Sequence, residues 1–405
     1  MKIICIHPRL GGYSSHHFNE AHGFIEEFAR RGRRFVLLVN IHAPARIVAE
    51  LGALAVLDDP TFRMEWSFEE RSRRFLEMLH KEIDGRLAAG DCVLITVSTQ
   101  LEAHALTRWL QDLPRRKKPW IVILFLSDRW NRAGRDEYGR QIAEFESLRS
   151  AIASLTVDDA RRIIFCTLTS LLAEELRELL GTTVDVAPMP LAYGEPRSHR
   201  ADKRVSPTPR VAILGGTRRE KGSCLIPDIV RACRPRVDVE FLIHITNNTL
   251  TAEEAKRLAL VAEEPGVSVI REALPWPDYE AALDSADIVL FPYEVIPYRK
   301  RTSGVFAEAV ACGKPVVATA GTWMAEQIEA GRAAGTIAED LRPDSIARAI
   351  AQCVAELESL RRSAEALRFA WRETMSLPAF VDFMEAQIAR RSQDEKTARP
   401  FFWPW

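Results

Sequence analysis

Two stretches of this chain combine glycine, positive charge and a helix start in ways that suit anion chemistry. In the first, Arg210-Val211-Ala212-Ile213-Leu214 reads as a strand and runs into Gly215-Gly216-Thr217-Arg218-Arg219-Glu220-Lys221-Gly222, after which a helical pattern begins. Glycines at the end of the first strand of an α/β unit let the main chain come close to an anion. The N–H groups of the following helix then point at it. Arg218, Arg219 and Lys221 add charge at that mouth, so the stretch suits a diphosphate; from these residues alone, a plain turn with solvated cations reads equally well. The spacing is neither a Walker loop nor G-x-G-x-x-G, which argues against nucleotide hydrolysis and dinucleotide binding.

The second stretch is Tyr298-Arg299-Lys300-Arg301-Thr302-Ser303-Gly304-Val305-Phe306-Ala307-Glu308. Thr302 or Ser303 can cap a helix N-terminus, and three cations precede it. Glu308 lies about one turn inside that helix, within reach of hydroxyls on a sugar bound at its end. The plainer reading of Glu308 is a surface carboxylate or an ion-pair partner of Arg301. In the N-terminal part, His7 closes the first predicted strand, a pocket position in an open α/β sheet. His16, His17 and Glu20 follow a Gly11-Gly12 turn. They read as pocket residues or as helix surface. As metal ligands they need a third partner that the sequence does not place, so no metal and no cofactor are expected.

The elements that must position these residues alternate strand and helix. Lys2–Ile6, Phe35–Val39, Cys92–Val97, Trp120–Leu126, 161–166 and 183–187 read as strands, with helical periodicity over 14–31, 71–87, 102–110 and 170–180. Residues 194–209 hold three prolines, many charges and almost no apolar side chain, the composition of a linker. The alternation then restarts with strands over 210–214, 239–245, 267–270, 288–291 and 315–318 and helices over 224–233, 252–262, 277–285 and 303–312. Helices are predicted over 343–360, 364–370 and 377–389. The expected layout is an N-terminal parallel α/β domain over 1–193, a linker over 194–209, a second such domain over 210–372, a last helix over 373–391 and an aromatic tail over 392–405.

The 405 residues include 47% hydrophobic and 27% charged residues, ordinary globular usage that excludes a disordered chain. Net charge is −1, without the basic excess of a dedicated nucleic-acid binder. The longest apolar run, Trp120–Leu126, is far short of the roughly 20 residues of a membrane span. Seven cysteines with no C-x-x-C pair read as buried free thiols. A cytoplasmic chain is expected. The tail Arg399-Pro400-Phe401-Phe402-Trp403-Pro404-Trp405 reads either as a loose or self-docked end or as a contact with the cytoplasmic face of a bilayer.

Ser303 to Thr319 resembles the donor-site helix of the retaining glycosyltransferases of family 4, the group 1 glycosyltransferases. Gly215 to Gly222, ending Glu-Lys-Gly, is similar to their phosphate-binding turn, Gly11-Gly12 to their N-terminal glycine loop, and Asp278 to Tyr293 to the element leading into the donor motif. The resemblance implies the GT-B fold, two Rossmann-like domains facing across a cleft, with the last helix crossing back to the N-terminal one. It implies a hexosyltransferase-like enzyme that uses a nucleotide-diphosphate sugar as co-substrate and needs no metal. The acceptor would be a cell-surface glycan or lipid-linked molecule.

Carried over, Lys221 holds the donor diphosphate and Glu308 its ribose, while Ser303, Gly304 and Val305 present backbone N–H groups. Gly215, Gly216, Arg218 or Arg219, Arg301 and Gly12 complete the donor site. The resemblance also puts the acceptor on the N-terminal domain, where His7, His16 and His17 are the candidate pocket residues read above. The chain departs from the pattern at Lys300, where the family has a second glutamate, and at Asp128, which stands near the place of a family histidine and is expected to contact sugar or acceptor. These departures leave two rivals: a non-catalytic partner subunit, and a nucleotide-sugar epimerase of the same fold.

Overall fold

A computed structural model describes residues 1–10, 16–61, 63–126, 135–193, 208–246, 250–272 and 274–397. The expectations placed on Gly11, Gly12, Asp128, nearly all of the 194–209 linker and the tail Arg399–Trp405 lie outside the described residues. The chain divides into two compact units, Met1–Ala192 with Leu377–Trp405, and Tyr193–Ser376.

The first unit is built on seven strands, β1 (Lys2–His7), β2 (Arg34–Asn40), β3 (Leu54–Leu57), β4 (Cys92–Ser98), β5 (Trp120–Phe125), β6 (Ile163–Thr167) and β7 (Val184–Val186). They pair in parallel in the order β3-β2-β1-β4-β5-β6-β7. Every residue of β4 and β5 is buried, which is why their sequences are continuous apolar runs rather than alternating ones. The helix Phe68–Ile83 turns Phe75, Leu79 and Ile83 into the core. It begins three residues before the predicted Arg71, because Ser67 caps it by accepting from Glu70 N. Gln100–Asp112 opens on a Thr99–Glu102 capping box. Arg115–Lys117, read as loop, forms a single 3-10 turn.

The last helix, Leu377–Thr397, runs past the predicted end at Ala389 and packs on His16–Arg30 within the first unit. Phe24 meets Phe380 edge-on at 6.0 Å, and Arg31 Nη1 reaches Asp382 Oδ1 at 2.6 Å. Gly23 must be small there: a Cβ would lie 2.7 Å from Ala192 Cβ and 3.0 Å from Leu377 Cδ1.

The second unit carries β8 (Arg210–Ile213), β9 (Glu240–His244), β10 (Val267–Ile270), β11 (Ile288–Phe291), β12 (Val316–Thr319) and β13 (Gly335–Ala338). Their order is β10-β9-β8-β11-β12-β13, again parallel. Both sheets reverse direction of winding beside their first strand, at β1/β4 and β8/β11. Two Rossmann-like parallel α/β units are therefore what forms, as expected. The stretch predicted as one helix over 343–360 breaks at Glu356 into Pro343–Ala355 and Leu357–Thr374. Cys5, Cys92, Cys166, Cys233 and Cys353 are buried free thiols, while Cys224 and Cys312 are half-buried. Among the described residues no helix is long and apolar enough to cross a membrane.

Candidate functional site

In the second unit the two predicted anion cradles meet at the β8/β11 reversal, the place where doubly wound sheets bind ligands. The turn after β8 needs its glycines. Gly215 has φ +93°, and a Cβ on it would lie 2.9 Å from Val305 Cγ2 and 3.4 Å from Lys221 Nζ. Gly222 has φ +68°, and its Cβ would overlap the Pro292 carbonyl oxygen beyond β11. The Glu294 N–H donates to the Glu220 carbonyl at 2.9 Å and clips the same two loops together. By contrast, a Cβ on Gly216 or Gly304 meets nothing within 4 Å, so both face open space.

Ser303, rather than Thr302, caps the helix Gly304–Ala311: its hydroxyl accepts from Phe306 N at 3.3 Å. The start of that helix lies against the turn after β8, where Val305 Cγ2 meets Gly215, and its remaining first-turn N–H groups carry the positive end of the helix dipole. Cations gather beside it. Glu220 Oε1 stands 3.9 Å from Arg218 Nη1 and 4.0 Å from Arg301 Nη1, so one carboxylate brackets both guanidinium groups. Arg301 also lies over the Tyr298 ring at 5.2 Å, and Lys221 Nζ lies 5.6 Å from the centre of the Tyr293 ring. Burial, with Arg218 and Arg301 nearby, lowers the Lys221 ammonium to about 8. Arg219 turns away to pair with Glu254. Of the two arginines that the sequence left open, Arg218 is the one beside Lys221.

Glu308 joins this cluster. Its Oε2 accepts from the Tyr279 hydroxyl at 2.6 Å. Burial raises its carboxyl to about 7, against the opposing pull of Tyr279 and Lys221. Arg301, its expected ion-pair partner on the plainer reading, turns instead to Glu220. Tyr279, on the helix Trp276–Asp284, was not singled out from the sequence. No spacing rule links position 279 to position 308; only the fold of two helices around β11 brings them together.

In the first unit, His7 ends β1 and is 1% exposed, while Glu20 is 4% exposed. His17, half-buried, stacks edge-on against His7 with ring centres 5.0 Å apart, and His7 Nε2 is 4.0 Å from Glu20 Oε1. A helix-surface reading is thus corrected for Glu20, which faces inward. His16 is the first residue of the helix His16–Arg30. The fold brings His7 against both His17 and Glu20.

Residues 208–356 match the family model described as Glycosyl transferases group 1. No curated protein matches the chain. Among solved structures, it is similar to sucrose-phosphate synthase from Thermosynechococcus elongatus, with TM-score 0.64 and 14% identity over 98% of this chain and 100% of that one. It is similar to a glycosyltransferase from Rickettsia africae, with TM-score 0.65 and 11% identity over 95% of this chain and 97% of that one. It is also similar to Anabaena HepE in complex with UDP, with TM-score 0.58 and 13% identity over 96% and 100%. At these identities the likeness is one of fold, and the fold is the GT-B class.

Proposed function

We propose that the chain is a glycosyltransferase that moves a sugar from a nucleoside-diphosphate sugar to an acceptor hydroxyl with retention of configuration at the anomeric carbon. The observation that carries this reading is the convergence of Lys221 and Glu308 at the β8/β11 reversal, inside the segment that matches group 1 glycosyl transferases. The bond from the anomeric carbon to the diphosphate breaks and the acceptor oxygen bonds to that carbon. The acceptor proton leaves with the diphosphate. Negative charge grows on the leaving group, and Lys221, Arg218 and the N–H groups after Ser303 stand ready to stabilise it. Those cations offset the diphosphate charge, so this site does its work without a divalent ion. Glu308, oriented by Tyr279, takes the ribose hydroxyls.

Acceptor recognition falls to the first unit, with a glycan or lipid-linked hydroxyl compound as the class to try. Lys300, in place of the usual glutamate, reverses the charge at the sugar end and points to a donor sugar other than the commonest ones.

HepE has been solved with UDP and with UDP-glucose, so uridine donors come first in a test. A thermal-shift panel of UDP, GDP, ADP, TDP and CMP is the direct experiment. Ligand at about 100 times its dissociation constant adds ~2.7 kcal/mol, several degrees for a chain of this size. A shift with one base, followed by sugar transfer or donor hydrolysis, is the expected result. A shift with neither reaction would leave a non-catalytic binder. No shift with any base in folded protein would overturn the donor site.

A further inference from the structure

The first unit holds a side-chain cluster that the donor chemistry does not use. His7 is the last residue of β1, and the neighbouring strand β4 carries Thr96. The two strands flank the reversal point of that sheet, the crevice where open α/β sheets take ligands. His17 and Glu20 are three residues apart on His16–Arg30, so they share one face of the helix. That face lies on His7. One donor atom from each of His7, His17 and Glu20 falls within 4.8 Å of the other two.

We propose that His7, His17 and Glu20 form a binding site for a divalent transition-metal ion of the zinc class. Two imidazoles and one carboxylate are a ligand set of zinc sites, whereas magnesium and calcium favour all-oxygen shells. Zinc bonds of about 2.0–2.2 Å place tetrahedral ligand atoms roughly 3.4 Å apart, so small side-chain adjustments of about 1 Å close the site. His7 and Glu20 are almost wholly buried, and His17 stands at the helix start as the more accessible third ligand. A bound cation adds to the compensation that the Thr96 hydroxyl of β4 gives the buried Glu20 carboxylate. Three protein ligands leave a fourth position open for an oxygen or nitrogen of a small molecule, as in zinc sites that act on or hold a ligand. The proposal concerns the first unit alone and is independent of the donor reading in the second.

The test is metal uptake by the full chain after stripping with a chelator and dialysis. Zn2+ competition against a chromophoric chelator should give a single tight ion per chain, and Co2+ should give the intense visible absorption of a four-coordinate site. His17→Ala and Glu20→Gln should each weaken Zn2+ by more than the roughly 10–100-fold that losing an outer-shell partner costs. His22→Ala, at an exposed histidine of the same helix, should leave affinity unchanged. Melting of the metal-free variants checks their folding. X-ray absorption on the zinc-loaded parent chain counts imidazoles without any substitution, and two are expected. Failure of the parent chain to take up Zn2+, an all-oxygen shell, or uptake that both variants leave intact would each overturn the site.

Discussion

The Tyr279 hydroxyl donates to Glu308 Oε2 at 2.6 Å and thereby joins the helix Trp276–Asp284 to the helix Gly304–Ala311. The bond fixes the carboxylate in one orientation and, together with Lys221, favours its charged form against burial. Tyr279 is thus a positioning residue for the proposed ribose contact. Tyr279→Phe removes a bond to a charged group, and nucleotide affinity at neutral pH should fall roughly threefold to tenfold. The more telling readout is the pH profile. Glu308 ionises near 7 in the parent, so affinity should fall as pH drops through 7, and in Tyr279→Phe that midpoint should move to higher pH. A uniform loss of affinity at every pH would assign Tyr279 a packing role only.

Glu308 should trade stability for function. Its folded carboxyl stands at about 7 against an ordinary 4.5, so between these values the folded chain holds more proton than the unfolded one. Stability therefore declines as pH climbs from 4.5 to 7 and stays at the lower level above. Glu308→Gln lacks that titration. The variant should melt a few degrees above the parent at pH 8 and nearer to it at pH 5, while losing most turnover and the preference for ribose over 2′-deoxyribose in the nucleotide. Differential scanning calorimetry at the two pH values checks the sign. A lower melting temperature at pH 8 would mean that the carboxylate is held better than its burial suggests.

Lys221 titrates on the other side of neutrality. With its ammonium lowered to about 8, the free chain loses that charge as pH rises above 8, and nucleoside-diphosphate affinity should fall there by up to tenfold per pH unit. Lys221→Arg keeps the charge at every accessible pH and should flatten the decline. Lys221→Ala should cost about 10²–10³ in kcat, the scale of removing one donor from a charge-stabilising site. Calorimetric titration with UDP across pH and steady-state kinetics measure the two effects separately.

The two motifs that meet at the β8/β11 reversal stood out in the sequence because each is contiguous. Gly215 to Gly222 carries its glycines and cations together, and Ser303 to Glu308 carries its cap, glycine and carboxylate together, so local rules apply to each. What the sequence did not carry was every contact made by bringing distant segments together. Glu220 bracketing Arg218 and Arg301, Tyr279 reaching Glu308, and His7 meeting His17 and Glu20 have no spacing signature. The same limit governs the elements. The helix Arg135–Ala153 went unread, although Phe145, Leu148 and Ala151 are buried among its described side chains. The break at Glu356 has neither glycine nor proline to mark it. The 364–370 helix proved to be the middle of Leu357–Thr374, with Ala364, Arg368 and Trp371 as its buried stripe.

Two glycines of the same turn should behave in opposite ways. Gly222 is left-handed, and its missing side chain makes room for the Pro292 carbonyl. Gly222→Ala combines backbone strain of about 1–3 kcal/mol with a steric overlap that only a shift of the β11 loop relieves. It should destabilise by at least that amount and lose nucleotide binding, because the same loop carries Tyr293 and leads to Ser303. Gly216 has open space where a Cβ would point, so Gly216→Ala should stay within about 0.5 kcal/mol of the parent. Urea unfolding of both variants, with UDP affinity on each, separates fold from site. A Gly216→Ala chain that unfolds like the parent but no longer binds UDP would put the phosphates against that face of the turn. One that binds normally would move them toward Lys221 and the helix start, and equal unfolding midpoints for the two variants would show that the approach of Pro292 does not hold the turn in place.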